Sequence, residues 1–299
     1  MKTAILISSC PKNLALARWT AGVIDRLWAG HPPVYLSGSD AVGDLVMRSD
    51  PRDWMALTLD AASDLRGMGY SHLYLILDDH PPMGRCNAGF LNCGLPAAAE
   101  RLGAAYVGLL GYGQHRERIG TTLGAGDLFL QRLPRDYRWM FSLHPALWSI
   151  AALETVLSVR MDQYPVDGHT PWNFERHRDE RDVPSRLPEN IAEGVYRICG
   201  ARFDAAPGRL GRSLMQTALH CFFDGALFLT RLLKGAAVRE EMSVRWLWAY
   251  SYYRGPYPLF WGGVMMQGKL SRHLGKFLSC QCPGEVRGVI GDAANYFGT

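Results

Sequence analysis

Lysine is scarce in this chain: of 32 basic side chains only five are lysines, Lys2, Lys12, Lys234, Lys269 and Lys276, set against 28 acidic groups. The formal net charge is +4, and no run of five or six like charges occurs, which excludes a dedicated nucleic-acid binder. The arginine excess suits phosphate recognition, but a GC-rich genome produces the same bias, and that explanation weighs more. A CxxC pair is also missing. The seven cysteines, Cys10, Cys86, Cys93, Cys199, Cys221, Cys280 and Cys282, are odd in number and scattered, so structural zinc and a disulfide framework are both poor readings. No long uninterrupted apolar run exists either. The longest tract, Leu214 to Leu233, contains His220, Asp224 and Arg231, and charges at membrane depth cost about 3 kcal/mol each. No membrane span is expected, and the opening MKTAILISSCPKN reads as a first strand, not as a signal peptide, because Pro-Lys follows the apolar stretch at once. The expected compartment is the cytoplasm.

Several catalytic signatures are absent: GxGxxG, the GxxxxGK[ST] phosphate loop, the GxSxG elbow and HExxH. Internal repeats and low-complexity segments are absent too. What remains is a 299-residue chain with 48% hydrophobic and 20% charged residues, enough for one large core or for a main domain with an appendage.

The first half alternates between two periods. Thr3–Ser8 is a β-branched, apolar strand, and Pro11–Gly30 carries Leu14, Leu16, Trp19, Val23, Ile24 and Leu27 at helical spacing. Pro33–Leu36 is a short strand, a helix runs from Pro51 to Gly67, and Leu73–Leu77 is continuously apolar, as a strand covered on both faces should be. A helix near Leu91–Leu102 leads to a strand at Ala105–Leu110, with shorter strands of mixed direction expected at Leu128–Leu130 and Tyr137–Leu143. Alternating strands and helices imply an α/β sandwich with a mostly parallel sheet and right-handed crossovers. Beyond Trp148 the spacing turns helical through Ile150, Leu153, Val156 and Leu157, and from Arg160 to Asn190 polarity rises into a solvated connection. Leu210–Leu233 is an apolar helix candidate, followed by an aromatic-rich tract.

The sharpest local feature is Asp78-Asp79 directly after LYLIL. In an open α/β sheet, ligands bind beyond the carboxyl ends of the strands, and two carboxylates there suit a hard divalent cation that also holds a diphosphate. Aspartate after a strand is equally an ordinary turn residue.

LYLILDDHPPM resembles the strand and diphosphate-metal motif of nucleotide-sugar glycosyltransferases with the GT-A fold, of the bacterial capsule and cell-surface polysaccharide type. Two further segments resemble that group in the same order. KTAILISSCPKN is similar to its opening strand, and FSLHPALWSIAALETVL followed by TPWNFE is similar to its serine-leucine-glutamine-x-x-x-tryptophan and proline-tryptophan-x-phenylalanine-glutamate signatures. Gln267-Gly268-Lys269 is a weaker echo of a late glycine-lysine. Two departures stand out: His80-Pro81-Pro82 replaces an aromatic pair, where metal use or specificity would change, and His144 replaces glutamine. For each, a structural histidine is the plain alternative.

The resemblance implies a GT-A-like (Rossmann-like) catalytic domain over residues 1–205 and a mainly helical extension over 206–299 packed on it. It implies a metal-assisted transferase that moves a sugar from a UDP- or GDP-type nucleotide-diphosphate sugar to an acceptor hydroxyl in polysaccharide or glycoconjugate biosynthesis. Asp78 and Asp79 would hold Mn²⁺ or Mg²⁺, with Ser8, Ser9 and Cys10 beside the nucleotide. Glu175 would be the general base if the reaction inverts, and as a first-turn glutamate its plain role is electrostatic. His144 and Trp172 would contact sugar or acceptor, whereas Trp148 suits the core. The competing readings are a nucleotidyltransferase, which usually brings a glycine-rich loop that SSCPKN lacks, and a non-catalytic relative that only binds.

Partners would be a nucleotide sugar and a carbohydrate or lipid-linked acceptor, with no nucleic acid. Between Arg245 and Trp261, eight aromatic rings including Trp246, Trp248 and Tyr257 accompany Arg245 and Arg254, and Lys269, Arg272, His273 and Lys276 follow without an intervening acid. This mix suits peripheral contact at the inner face of a membrane. Packing of the same rings onto the α/β core is the alternative.

Overall fold

The computed structural model describes residues 1–10, 13–37, 45, 48–109, 122–123, 128–135, 140–175, 186–200, 252–253, 255–260, 264–266 and 269–270. Strand β1 (Thr3–Ser8) is followed by α1 (Leu14–Leu27), β2 (Val34–Leu36), α2 (Trp54–Gly67) and β3 (His72–Leu77). A π-helical turn, Phe90–Gly94, runs into α3 (Leu95–Leu102), which Gly103 ends in the left-handed conformation at φ 59°. Next come β4 (Tyr106–Gly108), β5 (Thr122–Leu123), β6 (Leu128–Arg132), β7 (Ala146–Ser149), α4 (Ile150–Met161), α5 (Pro171–Glu175), α6 (Glu189–Glu193) and β8 (Val195–Gly200).

The eight strands form one sheet in the order β2-β1-β3-β7-β4-β8-β6-β5. β2, β1 and β3 pair in parallel, as do β4 and β8, while β7 is antiparallel to both of its neighbours and β6 to both of its own. Six strands therefore share one direction, and the expected α/β sandwich with a mostly parallel, mixed sheet is present. Both faces are covered. Ala4, Leu6, Leu73, Leu75 and Trp148 face a cluster with Trp54, Leu65, Leu153 and Phe174, while Ile5, Ile7, Tyr74, Ile76 and Leu147 face the opposite cluster with Ile24, Trp28 and Leu95. Two apolar layers explain why β1 and β3 read as unbroken hydrophobic runs instead of alternating ones.

One strand falls elsewhere than expected. Tyr137 lies outside the described residues, and Met140–Leu143 is not strand; the strand is Ala146–Ser149, which passes into α4 at Ile150 with no intervening turn. Its backbone is claimed by β3 and β4 on either side, through pairs such as Leu75↔Ala146 and Gly108↔Ala146, so tertiary pairing decides a segment whose apolar sequence fits a helix equally well.

Of residues 206–299, two short antiparallel ladders are described: β9 (Tyr252–Tyr253) with β10 (Leu259–Phe260), and β11 (Met265–Met266) with β12 (Lys269–Leu270). The helix expected at Leu210–Leu233 lies outside the described residues, as do Trp246, Trp248, Gln267, Gly268, Arg272, His273 and Lys276. Tyr257 and Leu259 are buried in the α1/α3-side cluster, so this part of the aromatic tract packs on the core. Among the described residues, no helix is long and apolar enough to cross a membrane.

Candidate functional site

The parallel pairing Ser8↔Leu77 brings the carboxyl ends of β1 and β3 level, and the residues that follow them meet. Ser9 Oγ donates to Asp78 Oδ2 at 2.7 Å, Thr20 Oγ1 from α1 donates to the Asp78 carbonyl at 2.5 Å, and the Ser9 N–H donates to Ser37 Oγ at 3.0 Å. Asp78 is buried, and burial pushes its carboxyl up to about 6; the hydrogen bond from Ser9 pulls the other way, and the adjacent Asp79 charge adds to the rise.

Asp79 turns the other way, with its Oδ1 2.9 Å from His80 Nδ1. Burial works to raise the Asp79 carboxyl, but the charge and hydrogen bond of His80, a backbone hydrogen bond and the His144 charge together hold the group below its ordinary value. For His80, burial opposes the cation, yet Asp79 first and then Glu175 and Asp78 raise its pKa overall. His80 Nε2 has no hydrogen-bond partner among the described residues.

The carboxyl-terminal segment grips the backbone of this turn. Val264 N–H donates to the Asp79 carbonyl at 2.8 Å, the Tyr257 hydroxyl donates to the His80 carbonyl at 2.8 Å, and Met83 N–H donates to the Pro258 carbonyl at 2.7 Å.

The antiparallel insertion of β7 beside β3 supplies the second half of the site. It places the residues entering β7 over the same sheet edge where β3 ends. There Ser142 Oγ donates to Glu175 Oε1 at 2.8 Å, the Leu143 N–H donates to the same oxygen at 3.1 Å, and Ser142 Oγ lies 2.6 Å from His144 Nδ1. The His144 ring stands edge-on to His80, with centroids 5.4 Å apart and planes at 73°. Asp79, His80, His144, Ser142 and Glu175 thus form one continuous polar seam along the carboxyl edge of the sheet. α5 presents Glu175 to it because Phe174 anchors the helix, packing on Trp54 at 5.6 Å and on Trp148 at 6.3 Å.

The fold therefore gathers Ser9, Asp78, Asp79, His144 and Glu175. Ser8 is placed apart, its hydroxyl 2.8 Å from Thr58 Oγ1 beneath α2. Cys10 is half-buried, its carbonyl accepting from Asn13 N–H at 2.9 Å. Trp172 lies on the outer side of α5 with 71% of its surface exposed, and Trp148 is fully buried. Ser142 was missed by sequence reasoning, although it opens the Ser142-Leu143-His144 segment that carries the resemblance. His80 drew notice only as a departure, without its partner Asp79.

Among the described residues, no group of three or more His, Cys, Asp or Glu side chains is arranged to hold a metal ion. Two adjacent carboxylates at one strand end, Asp78 buried and Asp79 paired with His80, still fit an ion of the Mg²⁺ or Mn²⁺ kind, which takes one or two protein carboxylates and completes its shell with phosphate oxygens and water. No family model matches the chain, and no curated protein matches it.

Proposed function

We propose that the chain is a metal-assisted glycosyltransferase using a nucleotide-diphosphate sugar as donor and a carbohydrate or lipid-linked hydroxyl as acceptor. The observation that carries this reading is the meeting of two chemically distinct halves at one sheet edge: Asp78 and Asp79 after β3, and the Glu175–Ser142–His144 chain before β7. Ligands of open α/β sheets bind at such an edge. In this reading Asp78 and Asp79 hold Mn²⁺ or Mg²⁺, and the ion supplies charge neutralisation for the diphosphate leaving group. Ser9 orients Asp78, and the Glu175 carboxylate supplies the basicity that an acceptor hydroxyl needs in order to attack. Trp172, exposed one turn from Glu175, offers an apolar ring face to a sugar.

The ion pair between His80 and Asp79 favours a second reading, a relative that binds a nucleotide sugar without turning it over, because it already satisfies one of the two carboxylates. Thermal unfolding in the presence of UDP- and GDP-sugars, with and without Mn²⁺, combined with assay of released products, tests these readings. A transferase shows a Mn²⁺-dependent rise in Tm and releases nucleoside diphosphate. A binding relative shows the rise alone, a nucleotidyltransferase releases pyrophosphate from nucleoside triphosphate, and no response to any nucleotide removes all three.

A further inference from the structure

We infer that Tyr106 is a positioning residue for Glu175: its hydroxyl, carried over Gly108 to the carboxyl edge of the sheet, fixes the Ser142 main chain and so aims the two donors that hold the Glu175 carboxylate. The inference rests on the glycosyl-transfer reading, in which Glu175 is the base.

Glu175 Oε1 accepts from two consecutive residues, the Ser142 hydroxyl at 2.8 Å and the Leu143 N–H at 3.1 Å. The aim of the carboxylate therefore follows the placement of residues 142 and 143. Met140–Leu143 is not strand, so no ladder fixes that segment. Main-chain groups away from water still need partners, and for Ser142 the Tyr106 hydroxyl provides them. It accepts the Ser142 N–H at 3.3 Å and donates to the Ser142 carbonyl at 3.4 Å. One hydroxyl can serve both groups because it has a proton and two lone pairs. Both contacts are long, so they bear on placement more than on stability.

The hydroxyl reaches Ser142 because of what stands two residues further along β4. Tyr106 and Gly108 share a face of the strand, and the Tyr106 ring lies along it toward the carboxyl end. A Cβ at Gly108 would stand 3.0 Å from Tyr106 Oη, 3.3 Å from Cε1 and 3.4 Å from Cζ, so a side chain there would push the ring off this path. The ring is buried and fixed on its other sides. It stands edge-on to Trp148, its partner in the β4–β7 register, at 4.7 Å, and edge-on to Phe141 at 5.7 Å. Trp148 in turn packs on Phe174, the anchor of α5. Tyr106 is thus linked to both supports of Glu175: through its hydroxyl to the Ser142 and Leu143 donors, and through Trp148 to the helix that carries the glutamate.

Two measurements on the full chain test it. Amide hydrogen exchange of the ligand-free protein, read by NMR, reports the link without any substrate. In Tyr106→Phe the Ser142 amide loses its own partner, and the Leu143 amide, whose partner is Glu175, should exchange about tenfold faster while Leu75 and Leu147 in the sheet stay unchanged. Unchanged exchange at Leu143 overturns the inference, whatever the reaction. The second measurement is Mn²⁺-dependent release of nucleoside diphosphate from UDP- and GDP-sugars. Tyr106→Phe should lower kcat about tenfold with donor KM nearly unchanged, short of the roughly 10²-fold cost of a misplacement of about 1 Å. Gly108→Ala keeps the hydroxyl but displaces it, and should give the same split; if Tyr106→Phe does not fold, this variant carries both measurements. The two substitutions together should lose little more than either alone, because phenylalanine lacks the oxygen that the new Cβ meets first. Additive losses overturn the route over Gly108. Wild-type kcat despite faster exchange, or a loss confined to KM, overturns the positioning role and leaves the transferase standing. Absence of release by the wild type overturns the transferase reading itself, while the exchange result stays readable.

Discussion

Asp53 and His169 lie 116 residues apart in the chain and 2.7 Å apart in the fold, as a buried carboxylate–imidazole pair. Asp53 Oδ1 caps α2 by accepting the Ala56 N–H at 2.8 Å, and its Oδ2 takes His169 Nδ1. His169 Nε2 sits 3.2 Å from the Met161 carbonyl and 3.1 Å from the Tyr164 carbonyl. Every one of these partners accepts only, so the ring donates from both nitrogens and is an imidazolium. The pair fastens the segment that follows α4 to the start of α2, and α5 with Glu175 begins two residues later.

This staple predicts a pH dependence of stability. Burial works against the His169 cation, but the hydrogen bond and charge of Asp53 and the two carbonyls raise its pKa above the ordinary 6.5. A folded pKa above the unfolded one gives a contribution that is complete below pH 6.5 and is lost as pH rises through the folded value. Urea midpoints should therefore fall between pH 6 and pH 8.5, and His169→Gln should flatten that part of the profile. Asp53→Asn keeps an oxygen for the cap and removes the charge facing His169, so it should cost about 1–3 kcal/mol at pH 6. An unchanged midpoint for Asp53→Asn would show that the pair contributes nothing.

Much of the architecture is legible in the sequence because the apolar runs carry it. Thr3–Ser8 and His72–Leu77 are bounded by polar residues and contain no helical spacing, and α2 has a capping aspartate before it and Gly67 at its end. β7 was not legible, since ALWSIAALETVL is apolar throughout and only the neighbouring strands decide that its first four residues extend. At the site, Asp78 and Glu175 carried a signal through strand-end position and resemblance. The links among them did not: Ser9 to Asp78 spans 69 residues and Ser142 to Glu175 spans 33, and contacts at that separation follow from sheet order, which local pattern does not encode.

Asp78 should trade stability for function. Its carboxyl, held at about 6 against an unfolded 3.8, means that ionising it in the folded state opposes folding, so stability declines as pH climbs from about 4 to 6 and then levels off. Asp78→Asn keeps an acceptor for Ser9 and removes the buried charge. It should stabilise the ligand-free protein at pH 7 by up to about 3 kcal/mol, taking 1.36 kcal/mol per pKa unit. The same substitution, and still more Asp78→Ala with Asp79→Ala, should abolish the Mn²⁺-dependent rise in Tm with nucleoside diphosphate. A double alanine variant that keeps the rise would place the metal elsewhere.

Glu175→Gln separates charge from shape. The amide oxygen still accepts from Ser142 and Leu143, so α5 and its Phe174 anchor should hold and the melting temperature should change little. Without the carboxylate, the acceptor hydroxyl loses the base that the glycosyl-transfer reading assigns to it. Release of nucleoside diphosphate should drop about 10²–10⁴-fold, with donor affinity by titration nearly unchanged. Near-normal turnover would return Glu175 to a purely structural part.

Tyr257 tests how the carboxyl-terminal segment serves the site. A lipid-facing ring would be exposed, yet Tyr257 is fully buried, packed edge-on to Trp28 at 5.9 Å with its hydroxyl on the His80 carbonyl. Together with the Val264 N–H on the Asp79 carbonyl, it pins the backbone of the carboxylate turn. Tyr257→Phe keeps the ring and leaves the His80 carbonyl without this donor, a loss of about 1–2 kcal/mol. Tyr257→Ala also opens a cavity and should cost about 3–5 kcal/mol. Because the turn carries Asp79, Tyr257→Phe should weaken the Mn²⁺-dependent nucleotide response by more than its fall in Tm alone accounts for, read by titration at a temperature where both proteins are folded. Sedimentation with anionic liposomes at low salt should be the same for Tyr257→Phe and the wild type. A loss of liposome binding with an intact nucleotide response would move Tyr257 from the core to the surface and undo its part in holding the turn.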